Sequence, residues 1–185
     1  MEKYVSKVIG SPVGPLKLVA SGEGLVAILW KDDNPRRVRL GNVVEDQTNS
    51  ILLETQRQLA EYFAGQRKVF TVKLAFAGTE FQRRVWTALL TIPYGERRSY
   101  GEIAKQIGSP AAVRAVGAAN GRNPISIIAP CHRVLGSTGK LTGFAGGLQV
   151  KAQLLALEAG EGGNLTGWNH LTSRRENVST TMHNA

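Results

Sequence analysis

The chain of 185 residues has one cysteine, in the run Pro130-Cys131-His132-Arg133-Val134, preceded by Asn123-Pro124 and followed by Gly146-Gly147. A thiolate is the strongest nucleophile unmodified side chains offer, and its soft sulfur suits attack on saturated carbon. The resulting thioether resists hydrolysis, so such an attack consumes the protein. A free thiol titrates near ~8.5 and needs activation at neutral pH. His132 is the adjacent base. In an extended segment successive side chains point to opposite faces, so a bridging water reaches the thiol more easily than direct contact. An imidazole also needs a partner to hold its tautomer, and Glu158 is the carboxylate best placed to be one. Together they define a Cys131-water-His132-Glu158 relay.

Several elements must position these groups. Tyr4 to Ile9, Leu16 to Ala20 and Leu25 to Trp30 read as short strands separated by Gly- and Pro-containing turns. Residues 31–49 are polar and read as a loop of low order. Ser50 can cap a helix with Leu52, Leu59 and Phe63 on one face and Gly65 as its stop. Val69 to Phe76 alternates, with Phe70, Val72, Leu74 and Phe76 on one side, as a half-buried strand does.

Thr79 and Gln82 form a capping box for a helix that turns Phe81, Val85 and Leu89 inward until Ile92-Pro93. Ser99 and Glu102 form a second box for Tyr100 to Ile107. After Gly108, Ser109-Pro110 launches Ala111 to Asn120, and the short turn between the two predicts a helix-turn-helix. Arg114 is the only charge on a second helix otherwise built from Ala, Gly and Val up to Asn120. Such a helix serves either close helix packing or close approach to a ligand. Leu148 to Glu158 is the last helix, and the Gly-, Asn-, Ser- and Thr-rich tail from Gly160 reads as flexible.

Composition narrows the classes. A hydrophobic content of 42% supports a buried core. One cysteine and three scattered histidines provide no internal disulfide and no structural zinc site, which fits a reducing compartment. The first thirty residues lack a signal-peptide pattern, and no run approaches the ~20 apolar residues of a membrane span. The expectation is a cytoplasmic protein with no membrane association. The net charge is +9. Residues 79–158 carry ten basic and four acidic side chains against eleven and eight in residues 1–78, so the excess surrounds the cysteine and favours a polyanion.

Tyr100, Arg114-Ala115-Val116-Gly117, Asn123-Pro124, Pro130 to Val134, Gly146-Gly147 and Glu158, in order over residues 79–158, resemble the O6-alkylguanine-DNA alkyltransferases (methylated-DNA-protein-cysteine methyltransferases) of bacterial type. Residues 4–76 resemble that family's N-terminal domain. The resemblance implies an α+β protein in three parts. A small N-terminal α/β, ribonuclease H-like domain spans 1–78, a mostly helical domain with a winged-helix-like helix-turn-helix spans 79–159, and the tail spans 160–185.

It further implies direct-reversal DNA repair. The protein would bind the minor groove of double-stranded DNA, flip out O6-alkylguanine or O4-alkylthymine, and move the alkyl group irreversibly to Cys131 in one suicide turnover. The catalytic set is then Cys131, His132, Glu158, Tyr100 and Asn123. Asn123 ties the turn before the cysteine, and Tyr100 helps rotate the nucleotide and donates to N3 of guanine. Arg114 is the finger that fills the vacated stack. The backbone N–H of Ala145 reaches O6, and the carbonyls of Cys131 and Val134 accept from the exocyclic amine. Ala115, Gly117, Pro130, Arg133, Phe144 and Ser99 complete the substrate and DNA contacts. Phe144 and Ala145 stand where vertebrate members have tyrosine and serine, which bears on tolerance of bulky alkyl groups. No cofactor or metal is implied, and the protein is expected to be a monomer, with cooperative loading on DNA left open.

Two other classes use some of the same residues. A thiol hydrolase shares a Cys-His-Glu set but turns over. A non-catalytic DNA-binding module keeps its binding without the thiol.

Overall fold

The computed structural model describes residues 3–161, so most of the tail expected to be flexible lies outside the described residues. Strands β1 (Tyr4–Ile9), β2 (Leu16–Ser21) and β3 (Gly24–Trp30) form the antiparallel meander that the turns between them predict. A fourth strand, β4 (Val43–Glu45), lies within the span read as loop and pairs parallel to β1, giving the order β3-β2-β1-β4. Three residues are too few for a period of two to show in a polar stretch.

Helix α1 (Ser50–Phe63) packs on β2 and β3. Its cap is Asn49 rather than Ser50: Asn49 Oδ1 accepts from the N–H groups of Ile51 at 3.0 Å and Leu52 at 3.2 Å. Both residue types cap well, and neighbouring candidates differ only in which oxygen reaches the free donors. The expected strand Val69 to Phe76 is extended but makes a single bridge, in which Leu25 N–H donates to Lys73 O and Ala75 N–H to Leu25 O, both at 2.8 Å. Phe70, Val72, Leu74 and Phe76 nevertheless pack on the core, so their alternation reports burial rather than pairing.

Both capping boxes form. In α2 (Glu80–Leu89) the Gln82 N–H donates to Thr79 Oγ1 at 3.1 Å and the Thr79 N–H to Gln82 Oε1 at 3.0 Å. After β5 (Arg98–Ser99), Ser99 and Glu102 close the same pair of bonds on α3 (Tyr100–Gln106). Helix α4 (Val113–Gly121) starts later than the Ser109-Pro110 pattern predicts. The Ala112 N–H closes a turn on Ser109 O at 2.9 Å, which puts Pro110 in that turn, and no side chain caps α4. A 3-10 turn, Cys131–Arg133, leads into β6 (Val134–Leu135), which pairs parallel to β5. Gly147, at φ +91°, precedes α5 (Leu148–Glu158) in a conformation glycine adopts at little cost.

Two apolar clusters hold these elements. One joins Val85 and Leu89 of α2, Ile103 of α3 and Val116 and Ala119 of α4 to Cys131 and Val134. The other joins the sheet and α1 to Ile125, Ile127, Ile128 and Ala129, and to Leu154 and Leu157 of α5, so it takes residues from both sides of Gly78. Each fully buried Leu or Ile contributes about 1.5–3 kcal/mol. The segment before the cysteine is thus gripped by one core and the cysteine by the other.

Candidate active site

The backbone approaching the cysteine is wound tightly and pinned from several sides. Asn123 donates through Nδ2 to Ala129 O at 2.8 Å and accepts the Ile125 N–H at 3.1 Å, which closes the turn. The Ile28 N–H of β3 donates to Pro124 O at 2.9 Å, and Arg37, held by Asp33, donates to Asn123 O. Inside this turn Ile127 is fully buried at φ +74°. A β-branched residue in that region costs about 1–3 kcal/mol, offset here by packing in the core.

Cys131 is 4% exposed. Its segment was read as extended, but residues 131–133 form a 3-10 turn, in which successive side chains diverge by about 120° instead of opposing one another. His132 is fully buried, and its Nε2 lies 2.7 Å from Glu158 Oε1. Burial pushes the Glu158 carboxyl up, but hydrogen bonds from His132 and Arg133 and their charges hold it at about 2. An ionised carboxylate only accepts, so His132 donates through Nε2 and keeps a lone pair on Nδ1. Nδ1 is buried and meets no hydrogen-bond partner among the described residues. Burial also lowers the His132 pKa despite Glu158, which favours the neutral, basic imidazole. Burial raises the Cys131 thiol, while the Asn123 amide and the charges of Arg37 and Lys151 pull it down. The resting thiol therefore needs a base.

Arg133 belongs to this network and not to the surface. Expected among the DNA-contacting residues, it is 6% exposed, with Nε and Nη2 on Glu158 at 2.9 Å each and Nη1 on Ile92 O at 2.6 Å. Glu158, a residue a helix end would ordinarily leave in solvent, is the buried hub.

Around the thiol, Tyr100 is half-buried with its hydroxyl 3.1 Å from Thr142 Oγ1. Ser99 caps α3 just before it, and Pro130 is buried beside Cys131. Phe144 sets its ring edge-on to Trp30 at 5.5 Å and to His132 at 6.5 Å, and Ala145 is exposed. A Cβ on Gly146 would lie 2.8 Å from the Trp30 ring, so only glycine lets this loop close on β3. The Val134 carbonyl accepts from Lys151 Nζ at 2.7 Å, and that of Cys131 from the Val134 N–H.

The small residues of α4 resolve into two faces. Val116, Ala119 and Asn120 are buried, whereas Arg114, Ala115 and Ala118 are exposed, and a Cβ on Gly117 would meet only Tyr100, at 3.9 Å. Small side chains on the outer face do not serve internal packing. Arg114 projects there without a hydrogen bond or ion pair to any described residue.

Three participants were missed in the sequence. Tyr62 lies three residues after Leu59 on the apolar face of α1 and reaches Glu158. Lys151 is fully buried on the Leu154 and Glu158 face of α5 and also bonds Thr142 O at 2.8 Å. A polar tip within an apolar stripe was the cue for both. Thr142 had none.

Known proteins match this architecture along almost its whole described length. The family model described as 6-O-methylguanine DNA methyltransferase, ribonuclease-like domain, matches residues 4–76, and that described as 6-O-methylguanine DNA methyltransferase, DNA binding domain, matches residues 80–160. The chain belongs to the 6-O-methylguanine DNA methyltransferase family. It is 53% identical over 148 residues to the methylated-DNA-protein-cysteine methyltransferase of Mycobacterium leprae, covering 80% of this chain and 88% of that one. The protein of the same name from Methanosarcina acetivorans is 54% identical over 148 residues, covering 80% and 94%. Among solved structures, Mycobacterium tuberculosis OGT in complex with DNA superposes with a TM-score of 0.78 at 48% identity, covering 88% of this chain and 96% of that one. Among the described residues no helix is long and apolar enough to cross a membrane, and no group of three or more His, Cys, Asp or Glu could hold a metal.

Proposed function

We propose that the protein repairs DNA by direct reversal, as a methylated-DNA-protein-cysteine S-methyltransferase that takes the alkyl group of O6-alkylguanine onto Cys131 and is spent in doing so. The observation that carries the reading is the buried thiol beside a histidine whose Nε2 is committed to Glu158 and whose Nδ1 is free. A water between Nδ1 and the thiol takes the proton to His132 as sulfur attacks the alkyl carbon. The S–C bond forms as the C–O6 bond breaks, and the electron pair stays on guanine. Donors aimed at that developing charge, the Tyr100 hydroxyl and the Ala145 N–H, lower the barrier more than they tighten ground-state binding. The Cys131 and Val134 carbonyls accept from the exocyclic amine and select guanine over adenine.

The reactive carbon is stacked inside a duplex, so the nucleotide must rotate out at a cost of a few kcal/mol, which a damaged pair reduces. The outer face of α4 fits the minor groove because Ala115, Gly117 and Ala118 let its backbone approach closely, and Arg114 fills the vacated stack. Surrounding arginines contact phosphates. O4-alkylthymine fits the same chemistry, and a monomer suffices for it.

The test pairs Cys131→Ala with the unaltered protein on a duplex carrying a labelled methyl group. The variant should transfer nothing while binding the duplex within about twofold, because the buried thiol contributes little to the groove contact. Undiminished transfer would refute the assignment.

A further inference from the structure

The geometry points to Tyr62 as a positioning residue for alkyl transfer, a part of the relay supplied by the sheet domain. This inference rests on the alkyl-transfer reading above. Tyr62 stands in the last turn of α1, fully buried, and its hydroxyl donates to Glu158 Oε1 at 2.7 Å. The same oxygen takes His132 Nε2 at 2.7 Å and Arg133 Nη2 at 2.9 Å. The other oxygen takes Arg133 Nε at 2.9 Å, with the Gly95 N–H at 3.5 Å.

A buried tyrosine hydroxyl needs a partner, and satisfaction alone would explain any acceptor. This acceptor is the oxygen on which the imidazole depends. Each donor to a carboxylate withdraws charge from its other partners, so Tyr62 weakens the pull of Glu158 on a proton at His132. The carboxylate stays ionised and fixed, and it stabilises the imidazolium no more than the reaction needs. His132 thus remains neutral, with Nδ1 ready to take the thiol proton. The titratable and charged groups facing this pair are Arg133, Lys151, Tyr94 and Cys131, and burial followed by the Glu158 charge raises the tyrosines, so Tyr62 stays a donor across the working range.

Tyr62→Phe removes only the hydroxyl. The ring keeps its neighbours Phe63 and Phe70 at 5.4 Å and Tyr94 at 6.1 Å. Single-turnover methyl transfer should slow about tenfold below neutrality, the loss of one hydrogen bond to a charged group. The acid limb of the rate profile should move to higher pH, and duplex affinity should stay unchanged. His132 titrated by NMR of the free protein should protonate at higher pH in the variant. Superimposable rate profiles and an unmoved His132 titration would overturn the inference. The NMR arm needs no substrate: absence of transfer by the unaltered protein sinks the functional reading, while the titration still decides whether Tyr62 tunes His132.

Discussion

Glu158 is ionised in the interior because Tyr62, His132 and Arg133 replace the water it lost, and that arrangement ties stability to pH. Its folded pKa, about 2, lies below the ordinary 4.5, so its stabilisation is complete above 4.5 and is lost as pH falls from there toward 2. His132 is also depressed, from 6.5, chiefly by burial. The unfolded chain therefore takes up a proton first as pH drops below 6.5, which again disfavours the folded state. Both effects act in the same direction. The urea midpoint should be level near neutrality, decline below 6.5 and fall more steeply below 4.5. A midpoint unchanged between neutrality and strong acid would show that the network does not carry this linkage.

Helix α4 faces outward with little but methyl groups and one guanidinium, a surface with a defined consequence at the scale of an element. If Arg114 stabilises the extruded nucleotide, Arg114→Ala should slow repair of duplex DNA by about tenfold or more, one to two kcal/mol of stacking, while reaction with free O6-benzylguanine stays near that of the unaltered protein. Equal losses on both substrates would remove the finger role. Fold stability should not change, since an exposed side chain without partners is usually worth less than about 0.5 kcal/mol. The elements themselves were legible where their signals are local. Thr79 with Gln82 and Ser99 with Glu102 marked two helix starts because a capping box is complete within four residues. The start of α4 was misplaced because Pro110 suits a turn as well as a first helical turn. Val69 to Phe76 showed its buried face but not that its pairing stops at a single bridge to Leu25, which depends on where β3 passes. At the site, Cys131 stands out by type and His132 and Glu158 only by their place in the motif around it, whereas the Tyr62 to Glu158 bond joins residues 96 apart and Arg133 resembles any basic surface residue until the fold buries it.

At the scale of the molecule, the sheet domain and the helical domain share one apolar cluster through Ile125 to Ala129, Leu154 and Leu157, and the cysteine lies where that cluster meets the helical one. Trp30 of β3 extends the contact, donating through Nε1 to Ser126 Oγ at 3.2 Å. The sheet domain therefore braces the reactive segment through backbone, aromatic and carboxylate contacts together. On the proposed reading, the one thiol has no other cysteine to relieve it, so the whole polypeptide would serve as a stoichiometric reagent. The measurement that bears most directly on this is the intact mass of the protein after incubation with an excess of O6-methylguanine duplex, followed by peptide mapping. A gain of a single methyl group, confined to the peptide containing Cys131 and persisting after the DNA is removed, is the predicted result. An unchanged mass while the lesion disappears, or a methyl group found elsewhere in the chain, would contradict it.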